Sequence, residues 1–404
     1  MTFIIVPLWT ARINRKIPTL LPPYFYGMHI KALRSALFIG LGICAIPKVL
    51  HAQEPNTQVQ MFGHVTANIE QENGESYSDF SLGEHDFFVQ SRITSRFSFL
   101  SETVVAPLNA SGHGSTDYKV SIERARLKYQ HREWLSVIVG KMHTPVNYWN
   151  DVYHHGRLFF PTIDRPRSFG WVVPIHTLGL RLQGQNIGAL NFGYDLLIGN
   201  GMSSNDVSDG TVQKSLTAAV HIKPEDQTRI SISAYRDLIA ANSVGAHAGH
   251  SSKFHYMMGE PNWYPVDLDY ELYCFSIYRK KGKWETLFET TWNRSGLSDT
   301  NDPELVSGLD SLGTSNNHTF YWFAGHKIGK RGQLYALFDL TDFEERDLHV
   351  RSNQLLKLGL GWKQEFSPLV NMQIQAERYT GKEGFEIPKD DKWELKVRVA
   401  YCLY

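Results

Sequence analysis

Leu369-Val-Asn-Met-Gln-Ile-Gln-Ala-Glu-Arg-Tyr379 sets Val370, Met372, Ile374 and Ala376 on one side of an extended chain and Asn371, Gln373, Gln375 and Glu377 on the other. The same two-residue period returns at 176–184, where His176, Leu178, Leu180 and Leu182 oppose Thr177, Gly179, Arg181 and Gln183. At 266–272, Val266, Leu268, Tyr270 and Leu272 oppose Asp267, Asp269 and Glu271. At the end of the chain Trp393, Leu395, Val397, Val399, Tyr401 and Leu403 oppose Glu394, Lys396, Arg398 and Ala400. A buried central strand would be apolar on both faces, and none of these segments is. The expectation is that each apolar row faces lipid and each polar row faces water.

The spacing of the segments completes this reading. Strands are expected near 59–70, 85–92, 97–105, 118–130, 134–142, 175–184, 189–199, 214–223, 228–237, 266–279, 284–294, 318–328, 332–342, 354–366, 369–379 and 392–403. Short turns follow every even-numbered strand, and long polar loops follow the odd ones, except that the 343–353 loop is of middling length. That asymmetry between two rims belongs to an all-β, transmembrane, antiparallel up-and-down β-barrel of about sixteen strands, with fourteen as the alternative. Both termini then lie on the short-turn, periplasmic side. Trp284 and Trp292, eight residues apart on one face, fit aromatic girdles at the two membrane interfaces. In 118–130, Val120 and Ile122 fall out of phase with Arg124, Arg126 and Lys128 unless a bulge lies near Glu123.

Targeting and charge narrow the class. Met28, Lys31 and Arg34 open a basic stretch, Ser35 to Ile46 form an apolar core, and Val49-Leu50-His51-Ala52 leads into Gln53. This is the pattern of a secretory signal cut after Ala52, with residues 1–27 upstream of a start at Met28. Removing 1–52 takes away six cations and no acid, leaving 35 basic against 41 acidic residues, net −6. Nucleic acid is not an expected partner. Cys274 and Cys402 remain, on strands of opposite side-chain parity, so no bridge is expected between them. No C-x-x-C, H-E-x-x-H, G-x-S-x-G or phosphate-binding glycine loop occurs. Neither a cofactor, a metal nor an enzymatic activity is expected.

Selectivity is expected to lie in the connector 143–174, which is too long for a hairpin and rich in His, Arg, Pro and aromatic residues. His143, Asn147, Trp149, Asn150, His154, His155, Arg157, Asp164, Arg165 and Arg167 are its candidate constriction residues if the connector folds into the lumen; the alternative is an extracellular cap. Arg124, Arg126, Lys128, Arg181 and Glu377 are the candidate wall residues. His247, His250 and His255 lie in a second long loop with no carboxylate at metal-ligand spacing.

Ile93-Thr-Ser-Arg-Phe-Ser-Phe-Leu-Ser-Glu102, Ile122-Glu-Arg-Ala-Arg-Leu-Lys-Tyr129, Gly140-Lys-Met-His-Thr-Pro145, Tyr148-Trp-Asn150, Tyr153-His-His-Gly156 and Pro161-Thr-Ile-Asp-Arg-Pro166 resemble porin-type outer-membrane proteins related to the phosphate-selective porins. The resemblance covers roughly 85–200 and ends at Gly199-Asn200-Gly201. It implies a sixteen-stranded, trimeric barrel that carries small solutes or ions, meets outer-membrane lipid and is inserted by barrel-assembly machinery. It does not extend to phosphate selectivity, because the basic ladder of those porins has no residue-by-residue match here. Two other classes stay open: a barrel acting as enzyme or surface receptor, and a secreted soluble β-rich binding protein.

Overall fold

The structure is a computed structural model that describes residues 56–404 except 73, 108–117, 154–155, 170–171, 204–211, 242–265, 307–312, 345–346, 348–353 and 382–391. The leader 1–52, His154, His155, His247, His250 and His255 therefore lie outside the described residues. The strands are β1 (Asn56–Glu72), β2 (Glu75–Leu82), β3 (His85–Arg92), β4 (Phe97–Pro107), β5 (Tyr118–Arg132), β6 (Leu135–His143), β7 (His176–Ile187), β8 (Phe192–Gly199) and β9 (Ser215–Ile222). They continue as β10 (Thr228–Ile239), β11 (Leu268–Lys281), β12 (Trp284–Leu297), β13 (Ser315–Ile328), β14 (Gly332–Asp342), β15 (Leu355–Ser367), β16 (Val370–Gly381) and β17 (Lys392–Leu403).

Every pairing is antiparallel, and β1 closes on β17 from Met61↔Leu403 to Gln71↔Trp393. Closure leaves no open edge for lipid to meet. β1 pairs with β3 along its first half and with β2 along its second, so β2 and β3 are two segments of one stave. Seventeen strand segments thus make a closed barrel of sixteen staves. The sequence reading counted the staves correctly but took 71–84 for a loop. Of those residues, Gln71 and Glu72 extend β1 and Glu75–Leu82 form β2, whose side chains are exposed on both faces, so no apolar row marked the strand.

Alternation places the rows as expected over most of the wall. In β16 the inward Asn371, Gln373, Gln375 and Glu377 are buried, whereas Ile374 is exposed. Trp284 and Trp292 both face outward, Trp292 stacked on Tyr273 at 5.2 Å between centroids and Trp284 against His326 at 4.6 Å. The phase problem in β5 is resolved by a bulge at the expected residue. Glu102 pairs with Arg124 and Thr103 with Ile122, which leaves Glu123 unpaired, turns Val120 and Ile122 outward and sends Arg124 inward.

One row runs opposite to the expectation. Val266, Leu268, Tyr270, Leu272 and Cys274 point inward, where they pack with Val146, Val172, Val173 and Met202. Asp269 is exposed and Glu271 half-buried on the other face. A chain segment inside the barrel offers this row a second apolar surface, so lipid is not its only partner. The reversal also corrects the cysteine parity: Cys274 and Cys402 are both free and buried on the inward side.

The seam is keyed by side-chain shape. A Cβ added at Gly63 would lie 2.6–2.9 Å from the ring and hydroxyl of Tyr401, its direct cross-strand partner. Gly361 stands in the same relation to Tyr335. A ring lying flat over a cross-strand glycine favours one register.

Candidate functional site: the inward connector and the wall it faces

The connector 143–174 lies within the lumen and bonds to successive staves. Asn147 N–H donates to Ser233 Oγ on β10 (3.3 Å), and Tyr148 N–H to Ser276 Oγ on β11 (3.2 Å). On β12, Glu289 Oε1 accepts from Tyr148 N–H (2.6 Å), Trp149 N–H (3.1 Å) and Ser276 Oγ–H (3.1 Å). Thr162 and Tyr321 of β13 share a hydrogen bond of 3.3 Å, and Arg167 N–H donates to Asp339 on β14 (2.7 Å). Lys363 of β15 donates to the carbonyls of Leu158 (3.2 Å) and Phe160 (2.9 Å). Asn371, Gln373 and Gln375 of β16 bond to 158–163, and Arg398 of β17 donates to the Thr162 carbonyl (3.0 Å). The connector is therefore hydrogen-bonded to β10 to β17, and it also meets β1, where Phe159 lies 5.6 Å from Phe62.

The candidate residues of the connector divide by placement. Trp149 and Asn150 are fully buried inside it. The Trp149 ring is ringed by Tyr153, Phe160 and Tyr321 at 5.4–5.5 Å, and the Asn150 amide donates to the Thr144 and Ile175 carbonyls, tying the two arms of the neck together. Asn147 has φ 48°, a left-handed conformation that asparagine tolerates better than most residues, and its Oδ1 accepts from Asn150 N–H. These three shape the connector without presenting a surface to the bore.

Arg157 and Arg165 pair with Glu84, at 2.9 and 3.5 Å, in the break between β2 and β3, and both stack on Phe160. Asp164 pairs with Lys396 at 2.7 Å. Burial opposes the Asp164 charge, but Lys396 and Lys357 outweigh it and hold its carboxyl well below the usual range. His143 packs against His176, with ring centroids 5.1 Å apart, and lines a small cavity.

Of the wall candidates, Glu377 belongs to this seat: it pairs with Lys357 and Lys396, each at 3.3 Å. The carboxylates of Asp164, Glu377 and Glu394 lie close enough to share a cation, and Lys396 Nζ already stands among them at 2.7, 3.3 and 2.5 Å. Arg124, Arg126, Lys128 and Arg181 lie on β5 and β7, away from the staves that seat the connector. Arg124 Nε donates to Glu102 (2.5 Å), Arg181 Nε to Asp195 (2.7 Å) and Lys128 to Gln183 (3.1 Å).

The connector reaches this side through Asp151, which sequence reasoning did not single out. Asp151 pairs with Arg229 at 2.8 Å and Arg181 at 3.5 Å. Burial resists its ionisation, yet Arg229 and Arg181 prevail and bring the carboxyl down to about 2. Glu84, Val152 and Phe159 were also missed as site residues. The polar parity of Glu289 in β12 marks it as a wall charge but not as an anchor of the connector.

Two cavities open beside the connector and a further one along the wall of β1 and β3 to β5. One of about 160 Å³ is lined by Gln60, Phe62, Phe88, Gln90, Arg124, His143, Asp151, Val152 and Phe159. A second, of about 430 Å³, shares Gln90 with it and holds Arg92, Arg126 and Lys128 with no carboxylate in its lining. The third, of about 740 Å³, shares Val152 and Phe159 with the first and carries Lys280, Lys327, Lys330, Arg331 and Lys363 against Glu285 and Glu365. Of the candidate cations, Arg124, Arg126 and Lys128 thus meet open space, while Arg181 is buried and so is the core of the connector.

No family model and no curated protein sequence matches the chain. Solved structures do. Outer-membrane expressed OmpT of Vibrio cholerae superposes with a TM-score of 0.58 at 10% identity, over 88% of this chain and 100% of that one. OmpF of Salmonella typhi, in complex with daunomycin, gives 0.54 at 10% identity over 86% and 97%. OprB of Pseudomonas putida gives 0.51 at 8% identity over 86% and 94%. The fold is that of a bacterial outer-membrane barrel. At such low identity the likeness speaks for the fold alone, and function has to be argued from the lumen.

Proposed function

We propose that this protein is an outer-membrane porin through which small hydrophilic solutes or ions diffuse passively, with 143–174 as the constriction. One observation carries the reading: the connector is seated on β10 to β17, while cavities lined by Arg92, Arg124, Arg126 and Lys128 lie beside β1 and β3 to β5. A solute would pass between the connector and that wall, selected by gap width and by the field of the cations. No bond is made or broken, and no metal or cofactor takes part. The proposal includes export through the leader, periplasmic termini and assembly of three copies; one of the matched solved structures is titled as the trimer form of Vibrio cholerae OmpT. The resemblance to the phosphate-selective porins adds no phosphate seat, because their basic ladder has no residue-by-residue match here.

The test is reconstitution of the purified protein in planar bilayers. Stepwise conductance is expected, and its absence at every ionic strength refutes the proposal. Reversal potentials in a salt gradient should show anions favoured near the Arg92, Arg126 and Lys128 chamber.

A further inference from the structure

Large apolar side chains exposed on the barrel wall are explained by lipid, but two on the connector are not. Phe159 is 57% exposed and Val152 45%, both inside the lumen, where no lipid reaches. They line the 160 Å³ and 740 Å³ cavities together, at the boundary between the two. An apolar patch left open to water at such a place marks a surface for an apolar partner.

The surroundings extend the patch. Phe159 meets Phe62 at 5.6 Å and Phe62 meets Phe88 at 5.2 Å, both edge-to-face, so an aromatic row runs from the connector across β1 to β3. The Arg124 guanidinium, held by Glu102 at 2.5 Å, lies 5.1 Å from the centre of the Phe88 ring, at the far end of this row. Beyond it stand Arg126 and Lys128, in the chamber without carboxylates. Asp151, the acid in the small cavity, is already engaged by Arg229 and Arg181. A solute in the gap therefore meets rings and a valine on one side and cations on the other.

Resting on the porin reading, we infer that the gap beside Phe159 selects amphiphilic organic anions, a carboxylate on a compact aromatic body, over small anions of equal charge. The ring lies along Phe159, Val152 and Phe62, and the carboxylate faces Arg126 and Lys128, beyond Arg124, whose charge Glu102 already engages. Neither half suffices alone: chloride gains nothing from the aromatic row, and an aromatic cation is repelled by the strip.

The full-length protein in planar bilayers tests this with sodium benzoate, sodium acetate and benzylammonium chloride as probes. Benzoate should reduce the chloride current at a concentration about threefold to tenfold below that of acetate, the range of one aromatic contact. Benzylammonium should have no such effect. Phe159→Ser should bring benzoate to the level of acetate; Val152→Ser, with a smaller loss, serves as the second variant should the first not assemble. Equal action of benzoate and acetate, equal action of benzylammonium, or a benzoate advantage that survives both substitutions overturns the inference. A protein that conducts sodium chloride while failing these comparisons refutes only the organic-anion step, whereas one that never conducts refutes the porin reading itself.

Discussion

Replacing Glu289 by alanine should loosen the connector without opening the barrel. The carboxylate is 2% exposed, and its Oε1 accepts the N–H groups of Tyr148 and Trp149 and the hydroxyl of Ser276. Removing it orphans the Trp149 N–H inside the lumen, at about 1–3 kcal/mol when no water replaces the acceptor, and takes a charge-assisted bond worth about 1.5–3 kcal/mol from the Tyr148 N–H, which keeps only Ser276 Oγ at 3.2 Å. The loss is partly offset, because the buried charge no longer needs to be desolvated and water can enter beside the shortened side chain. We expect a net weakening of connector docking by about 2–4 kcal/mol. The pairing of β11, β12 and β13 is made by backbone and should persist.

Amide hydrogen exchange reads this directly. Protection at Tyr148 and Trp149 should fall by roughly 30- to 700-fold, the factor equivalent to that free energy, while β12 amides stay protected. In bilayers the same variant should show larger or noisier conductance steps. Glu289→Gln, which keeps a carbonyl acceptor, should lose about 1 kcal/mol. Unchanged exchange at Tyr148 and Trp149 in Glu289→Ala would show that the carboxylate does not hold the connector, and the anchoring argument would fail.

Two further outcomes follow from the same geometry. Gly63→Val forces Cβ atoms into the Tyr401 ring across the closing seam and should destabilise the barrel by about 1–3 kcal/mol, seen as a lower unfolding temperature in detergent; Tyr401→Ala in the same chain should restore part of the loss, and no recovery would disprove the steric cause. Asp151 has an ordinary value of 3.8 and is held at about 2 in the fold, so its pairing with Arg229 and Arg181 is complete above pH ~4 and is lost as pH falls through about 2. The difference in reversal potential between the native protein and Asp151→Asn should accordingly stay constant from pH 7 to 4 and vanish only below that, and a midpoint of that difference near pH 5 would contradict the assignment.

Alternation at 370–377 and 393–403, the bulge at Glu123 and the two outward tryptophans of β12 were all readable before any coordinates. Each depends on a residue and its neighbours two positions away, a range that sequence displays. β2 was not readable, because a strand exposed on both faces has no row to distinguish.

The site was legible in composition and opaque in detail. The connector's length and its His, Arg and aromatic content singled it out, yet nothing local shows that Trp149 and Asn150 turn into its core while Val152 and Phe159 turn out of it. That division depends on which staves seat the connector, through partners such as Ser233, Glu289, Lys363 and Arg398, roughly 80 to 240 positions away in the chain. By itself, then, the sequence determined a polar-inside barrel of sixteen staves, because lipid and water sort side chains one at a time. Tertiary structure alone decided the inward row at 266–274 and the aromatic row from Phe159 to Phe88, because a chain folded through the lumen gives inward apolar groups a partner that no periodicity encodes.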